Sequence, residues 1–136
     1  MKKLFFTAGF IALIIACSST KTNSVGASKT VASKNDTIHI ANDSLNYEIT
    51  IIEPGFDTWL ASVAKPRNFY GLTYLENKNR FYVAEYNSRV LQPFRYNSNL
   101  YEMRIDYNPS IHYGYEVNYL LYNYFVYFQS HYRQKL

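Results

Sequence analysis

The chain has 136 residues, of which 18% are aromatic, and its formal net charge at neutral pH is +4. Five of the 14 basic residues precede Asn35, so the rest of the chain carries nine basic side chains against ten acidic ones. This balance excludes a basic footprint for nucleic acid on the folded region, and the single cysteine excludes an internal disulfide.

The N-terminus has the pattern of a bacterial secretory signal peptide. Two lysines are followed by a mainly apolar run over residues 4–16 and then by Cys17. A membrane-spanning helix needs about 20 apolar residues, so this run is too short to cross a bilayer comfortably. Ile14-Ile15-Ala16-Cys17 resembles the lipobox of bacterial lipoproteins, in which the cysteine is acylated with fatty acids such as palmitate. The alternatives, a buried free thiol or a retained membrane anchor, fit this position less well. Residues 1–16 are therefore predicted to be a lipoprotein signal peptide, and Cys17 the lipidation site.

The residues after the cysteine are polar and small, with almost nothing to bury. Such a composition does not offset the entropy lost on ordering, so residues 17–35 are predicted to be the lipidated cysteine and a disordered tether. Residues 36–136 have the size of one globular domain.

Three segments have the pattern of β-strands. Residues 37–40 and 47–52 are rich in β-branched side chains and are separated by a turn-rich segment, which predicts a hairpin. Residues 101–106 alternate apolar and charged side chains, as a half-buried strand does. If residues 101–106 pair with residues 47–52, Glu48 approaches Arg104 across the ladder.

Three helices are predicted at about residues 57–64, 71–91 and 115–134. The first is short because Pro66 stops it, and the second ends before Pro93. In the last segment, the β-forming side chains between Tyr122 and Phe128 favour a strand. The length of the uninterrupted apolar and aromatic run favours a helix, which is our prediction. The fold class is therefore α+β, mainly α, with a sheet of two or three short strands.

The sequence contains no recognisable motif for a nucleophilic serine, a zinc protease, a phosphate-binding loop or paired cysteines. His39, His112 and His131 lack metal-ligand spacing. Asp106, Asn108 and Ser110 are spaced like the start of a calcium loop, but the later glycine and carboxylate are missing. We predict a turn there, and no metal or cofactor.

Three stretches carry a resemblance to a known family. They are Tyr47-Glu48-Ile49 with Pro54-Gly55-Phe56-Asp57-Thr58-Trp59; Asn79-Arg80-x-Tyr82-Val83-x-x-Tyr86-Asn87; and Ile105-Asp106-Tyr107-Asn108-Pro109-x-Ile111-x-Tyr113-Gly114-x-Glu116-x-Asn118-Tyr119. Together they are similar to a family of small Bacteroidota lipoproteins classed as a domain of unknown function. The resemblance covers the chain from Tyr47 onward and implies a lipoprotein, but it implies no activity, cofactor or catalytic residue.

The leading functional hypothesis is a non-enzymatic envelope lipoprotein that binds an envelope protein or a glycan. Tyr115, Tyr119 and Tyr122 lie on one side of the last predicted helix and, with Trp59, are the candidate binding face. The alternative is that these tyrosines pack against the strands as core. The residues just after Cys17 include no acidic side chain, unlike those of surface-exposed lipoproteins in this bacterial group, so we expect a domain that faces the periplasm.

The rival hypothesis is an envelope hydrolase or transferase. It would use Asp57, Asp106, Glu116 or His112 for acid–base chemistry. It requires these side chains to share one pocket, which the sequence alone does not show.

Overall fold

The computed structural model describes residues 30–32, 37–42 and 47–136. The predicted signal peptide, Cys17 and most of the predicted tether lie outside the described residues. No helix in the described part of the chain combines the length and the apolar composition needed to span a bilayer.

The described strands form one antiparallel sheet. β1 (Thr30–Ala32), β2 (Thr37–Asn42) and β3 (Tyr47–Ile52) lie in that order, with β2 in the middle. Ile38 of β2 faces Ile51 of β3, and both side chains belong to the buried core. Along β3, inward and outward side chains alternate, as the two-residue period of a strand requires. One face of the sheet therefore packs on the rest of the domain.

The hairpin of β2 and β3 confirms two of the predicted strands, but the third strand is not the predicted one. Residues 101–106 form no strand. Instead, the Asn87 side chain accepts a hydrogen bond from the Ile105 backbone N–H at 2.8 Å and donates one to the Ile105 carbonyl at 2.8 Å. A side-chain amide thus takes the place of a neighbouring strand. Glu48 accordingly lies against His39 at 3.0 Å, rather than in the predicted pair with Arg104.

The third strand, β1, falls inside the segment predicted as a disordered tether. It pairs with β2 through Val31 opposite His39. The described strand β1 therefore lies within residues 17–35, and the domain start at residue 36 stays a prediction.

The three predicted helices are all present. α1 spans Phe56–Ser62, α2 spans Leu72–Val90 and α3 spans Tyr115–His131. Gly114 has a φ of 84° directly before α3, a backbone conformation that side chains with a Cβ rarely adopt. Because α3 includes the segment from Tyr122 to Phe128, the prediction of a helix there is confirmed. The fold is α+β, mainly α.

α3 is the element around which the domain is built. α1, α2 and the sheet all pack against it. Its buried side chains point in every direction around its axis rather than forming one stripe: they are Val117, Asn118, Tyr119, Leu120, Leu121, Tyr122, Asn123, Phe125, Tyr127 and Phe128. A helix that is apolar on all sides is one that lies inside the core.

Candidate functional site

The candidate tyrosine face of α3 is not exposed. Tyr119 and Tyr122 retain only 5% and 8% of their accessible surface. The Tyr119 hydroxyl donates a hydrogen bond to the carbonyl of Lys65 at 2.8 Å, and the Tyr122 ring packs edge-on against Tyr70 and Tyr74. Of the two alternatives for Tyr119 and Tyr122, their burial favours core packing, because the loop between α1 and α2 and the start of α2 cover them.

The other two residues of the predicted face are half-buried and also hold structure together. The Tyr115 hydroxyl accepts a hydrogen bond from the Asn68 N–H at 2.6 Å and donates one to the Tyr70 carbonyl at 3.3 Å. The Trp59 ring packs against Phe56 and Tyr127, with ring centroids 6.4 and 5.7 Å apart. The four aromatic residues therefore do not form one continuous binding platform.

The acidic residues and the histidine of the enzymatic hypothesis each have a different partner. Glu116 receives hydrogen bonds from the Arg67 Nε at 2.9 Å to both of its oxygens. His112 Nδ1 lies 3.4 Å from Glu76 Oε1 on the surface of α2.

The other two residues make contacts elsewhere, Asp57 through its carboxylate and Asp106 through its backbone carbonyl. Asp57 accepts a hydrogen bond from the Thr58 N–H at 2.6 Å at the start of α1, and the Asp106 carbonyl accepts one from the Tyr47 hydroxyl at 2.5 Å. In the described chain, no group of three His, Cys, Asp or Glu side chains is close enough to hold a metal ion. The geometry assembles no acid–base pair from these residues.

A buried polar network joins α2 to α3, and the sequence analysis did not anticipate it. Asn79 and Asn118 are completely buried. The Asn79 Nδ2 donates to the Asn118 carbonyl and to its Oδ1, at 2.9 and 3.0 Å. The Tyr107 hydroxyl donates to the same Oδ1 at 2.9 Å, and the Asn118 Nδ2 donates to the Gly114 carbonyl at 2.8 Å. Buried amides of this kind fix the register of the two helices, because any shift would leave them unpaired.

Burial, together with the nearby Glu76, raises the pKa of Tyr107 to about 12. Burial is also the main cause of the raised pKa of five further tyrosines, which are Tyr47, Tyr86, Tyr119, Tyr122 and Tyr124. A raised pKa means that the folded state holds the phenol proton more tightly than the unfolded state does.

Alkaline pH is therefore expected to unfold the protein. The contribution of Tyr107 to stability is complete below pH 10, the value for an unfolded tyrosine, and is lost as the pH rises through about 12. Circular dichroism and phenolate absorbance, recorded together across this range, measure the effect. The slope of unfolding free energy against pH gives the number of protons released on unfolding. In a Tyr107→Phe variant this number should fall by up to about one. Phenolates that all titrate near pH 10 while the helices stay intact would contradict this prediction.

A cleft of about 700 Å³ opens between β3 and residues 99–106. One wall is the edge of β3 from Glu48 to Ile52, continued by Glu53. The opposite wall is the extended segment that Asn87 holds against α2. The volume is within the range of ordinary ligand-binding clefts.

The floor of the cleft is formed mainly by tyrosine. Tyr86, Tyr124 and Tyr132 line it, together with Leu121. The Tyr132 hydroxyl donates a hydrogen bond to Glu53 Oε1, and this bond, with burial, raises the pKa of Tyr132 to about 12. Burial raises the pKa of Tyr124, and the neighbouring Tyr86 raises it further. The floor therefore presents apolar aromatic rings, and its tyrosine hydroxyls are uncharged at physiological pH.

The rim of the cleft is acidic. Four acidic residues line it, Glu48, Glu53, Glu102 and Asp106, together with one basic residue, Arg104. Glu102 and Glu53 are close enough to the floor to raise the pKa of Tyr86, after the larger effect of burial, and that of Tyr132, after hydrogen bonding and burial. The cleft thus presents negative charge above an aromatic floor, which suits a positively charged ligand.

The cleft was not predicted from the sequence, although its two walls were. Residues 47–52 and 101–106 were both recognised as extended segments, and the error was to pair them directly. The available signal was the acidic residue in each segment, Glu48 in the first and Glu102 with Asp106 in the second.

Comparisons with curated proteins and with solved structures find no match to the chain. A family model does match, over residues 5–136 and so over nearly the whole chain. The chain belongs to the family of unknown function DUF6146.

Proposed function

We propose that this protein is a lipid-anchored module of the cell envelope that binds another envelope protein and does no chemistry of its own. The observation that carries the proposal is the acidic, tyrosine-floored cleft between β3 and residues 99–106. A cleft with aromatic rings and a few charged groups is a typical recognition site.

A protein partner fits this domain better than a glycan does. Glycan recognition by stacking needs open aromatic faces, and Tyr119 and Tyr122 are buried. The cleft instead offers carboxylates, hydroxyls and the edge of a strand, which are the groups that contact polypeptide.

The anchor is tested by changing Cys17 to serine. Because a serine hydroxyl is not acylated in a lipobox, Cys17→Ser should abolish labelling with a fatty-acid analogue and release the protein from the membrane fraction. The measurement is metabolic labelling followed by fractionation and immunoblotting. A Cys17→Ser protein that stays on the membrane at the unmodified level would contradict the anchor. Resistance of the unmodified protein to protease on intact cells would support a domain facing the periplasm.

Partner binding is tested by affinity capture from solubilised envelope, read by mass spectrometry. The informative comparison is between Glu102→Gln, in the cleft, and Asn77→Lys, on the exposed side of α2. Both variants raise the net charge by the same amount, so a partner that is lost only with Glu102→Gln depends on the cleft. A partner set that is identical for both variants would contradict the proposal.

A further inference from the structure

We propose that the occupant of the cleft is an extended basic peptide that pairs with β3 as an added strand. The inference rests on the proposed function and names the chemical class of the partner: a segment in which Lys or Arg alternates with β-branched residues. It follows from the backbone edges that face the cleft and from the charge around them.

Among the described strands, none pairs with the second edge of β3. In the sheet order β1-β2-β3 it is the outer strand, so only one of its edges is paired with β2. Alternate residues of a strand direct their N–H and C=O groups to opposite sides, so half of the β3 backbone groups point into the cleft. Among the described residues, no backbone hydrogen bond joins β3 to residues 99–106. The edge is therefore open to an incoming strand.

The opposite wall presents a second backbone edge. Both backbone groups of Ile105 point towards Asn87, whereas the carbonyl of the next residue, Asp106, points towards β3. The Asp106 carbonyl shows this direction, since it accepts the hydrogen bond from the Tyr47 hydroxyl on β3. This contact joins β3 to the opposite wall beside the cleft, and a peptide would lie between the two walls with one end towards Tyr47.

The side chains around the edge select the charge of the peptide. Successive residues of an added strand point alternately towards the floor and the rim. The floor of Tyr86, Tyr124 and Leu121 suits small apolar or β-branched side chains, while the acidic Glu102, and Glu48 beside His39, suit lysine or arginine. Strand addition supplies affinity through the main chain, and the alternating side chains supply specificity.

The test uses the purified full chain and synthetic peptides of the length of β3. The probe alternates lysine and valine; the first control replaces every lysine by glutamate, and the second keeps the lysines but methylates alternate backbone nitrogens. Fluorescence anisotropy should show binding of the lysine probe about tenfold or more tighter than of either control, a difference of about 1.4 kcal/mol. Glu102→Gln should weaken the lysine probe several-fold, and Asn77→Lys should leave it unchanged.

Hydrogen exchange supplies a readout that surface charge alone would not produce. Binding of the lysine probe should slow the exchange of alternate amides in β3, because these are the ones directed into the cleft. Equal binding of the methylated peptide, or unchanged exchange in β3, would overturn strand addition while the cleft-dependent partner capture still supports the proposed function. If capture too is indifferent to Glu102→Gln, both proposals fail.

Discussion

Phe128→Ala is expected to lower the free energy of unfolding by about 3 to 5 kcal/mol, the usual cost of truncating a buried phenylalanine. Only 1% of Phe128 is exposed, and its ring lies 5.2 to 5.5 Å from the rings of Tyr86, Tyr101 and Tyr132. The cavity would open where α3 meets α2 and the segment after it. Since small domains have a total stability of about 5 to 15 kcal/mol, the variant should be partly or fully unfolded at ordinary temperatures. Urea unfolding followed by circular dichroism measures the difference.

Phe94→Ala is the matched control. The Phe94 side chain is fully exposed in the loop after α2, so its removal should change stability by no more than about 0.5 kcal/mol. Equal effects of the two substitutions would mean that α3 is not packed inside the domain as described.

Asn118→Ala is expected to cost about 2 to 4 kcal/mol, although it removes only a small side chain. It leaves the Tyr107 hydroxyl and one hydrogen of the Asn79 amide without their shared acceptor, the Asn118 Oδ1. A buried donor that loses its partner costs about 1 to 3 kcal/mol. The measurement is again equilibrium unfolding in urea.

Two companion variants separate the network from simple loss of volume. Asn123→Ala, on the same helix, removes a bond only to the Tyr119 carbonyl within its own helix and should cost about 1 kcal/mol from that bond. Tyr107→Phe should cost less in the Asn118→Ala background than alone, because the bond that it removes is already broken. Strict additivity of Tyr107→Phe and Asn118→Ala would show that the two side chains are not coupled.

The helices could be predicted from the sequence because their signals are local. The apolar spacing of α2 and the long aromatic run of α3 depend on neighbours within the same segment. The strand error at residues 101–106 has a different origin. Their alternating pattern indicates an extended, half-buried segment. Such a pattern does not show which group forms hydrogen bonds with the backbone of that segment. Asn87, eighteen residues away from Ile105, does so.

The site could be predicted less well, because burial depends on distant parts of the chain. A helical wheel divided α3 into an apolar face and a tyrosine side, and nothing local showed that the loop around Lys65 would cover the second. The same limit hid Asn118, which looks like any polar residue of a helix until Asn79 and Tyr107 are brought against it. β1 was missed because a strand of three residues is too short to show a period.

The central position of α3 also has a consequence for when the chain can fold. The sheet, α1 and α2 all precede α3 along the chain, and each packs on it. While residues 115–131 are still inside the ribosome, the segments already synthesised lack the surface that would bury their aromatic side chains. The domain is therefore expected to fold only after translation has passed α3, rather than progressively from its N-terminus. The anchor proposal requires that the chain be exported as an extended polymer. This delay would keep the chain unfolded until it has crossed the membrane.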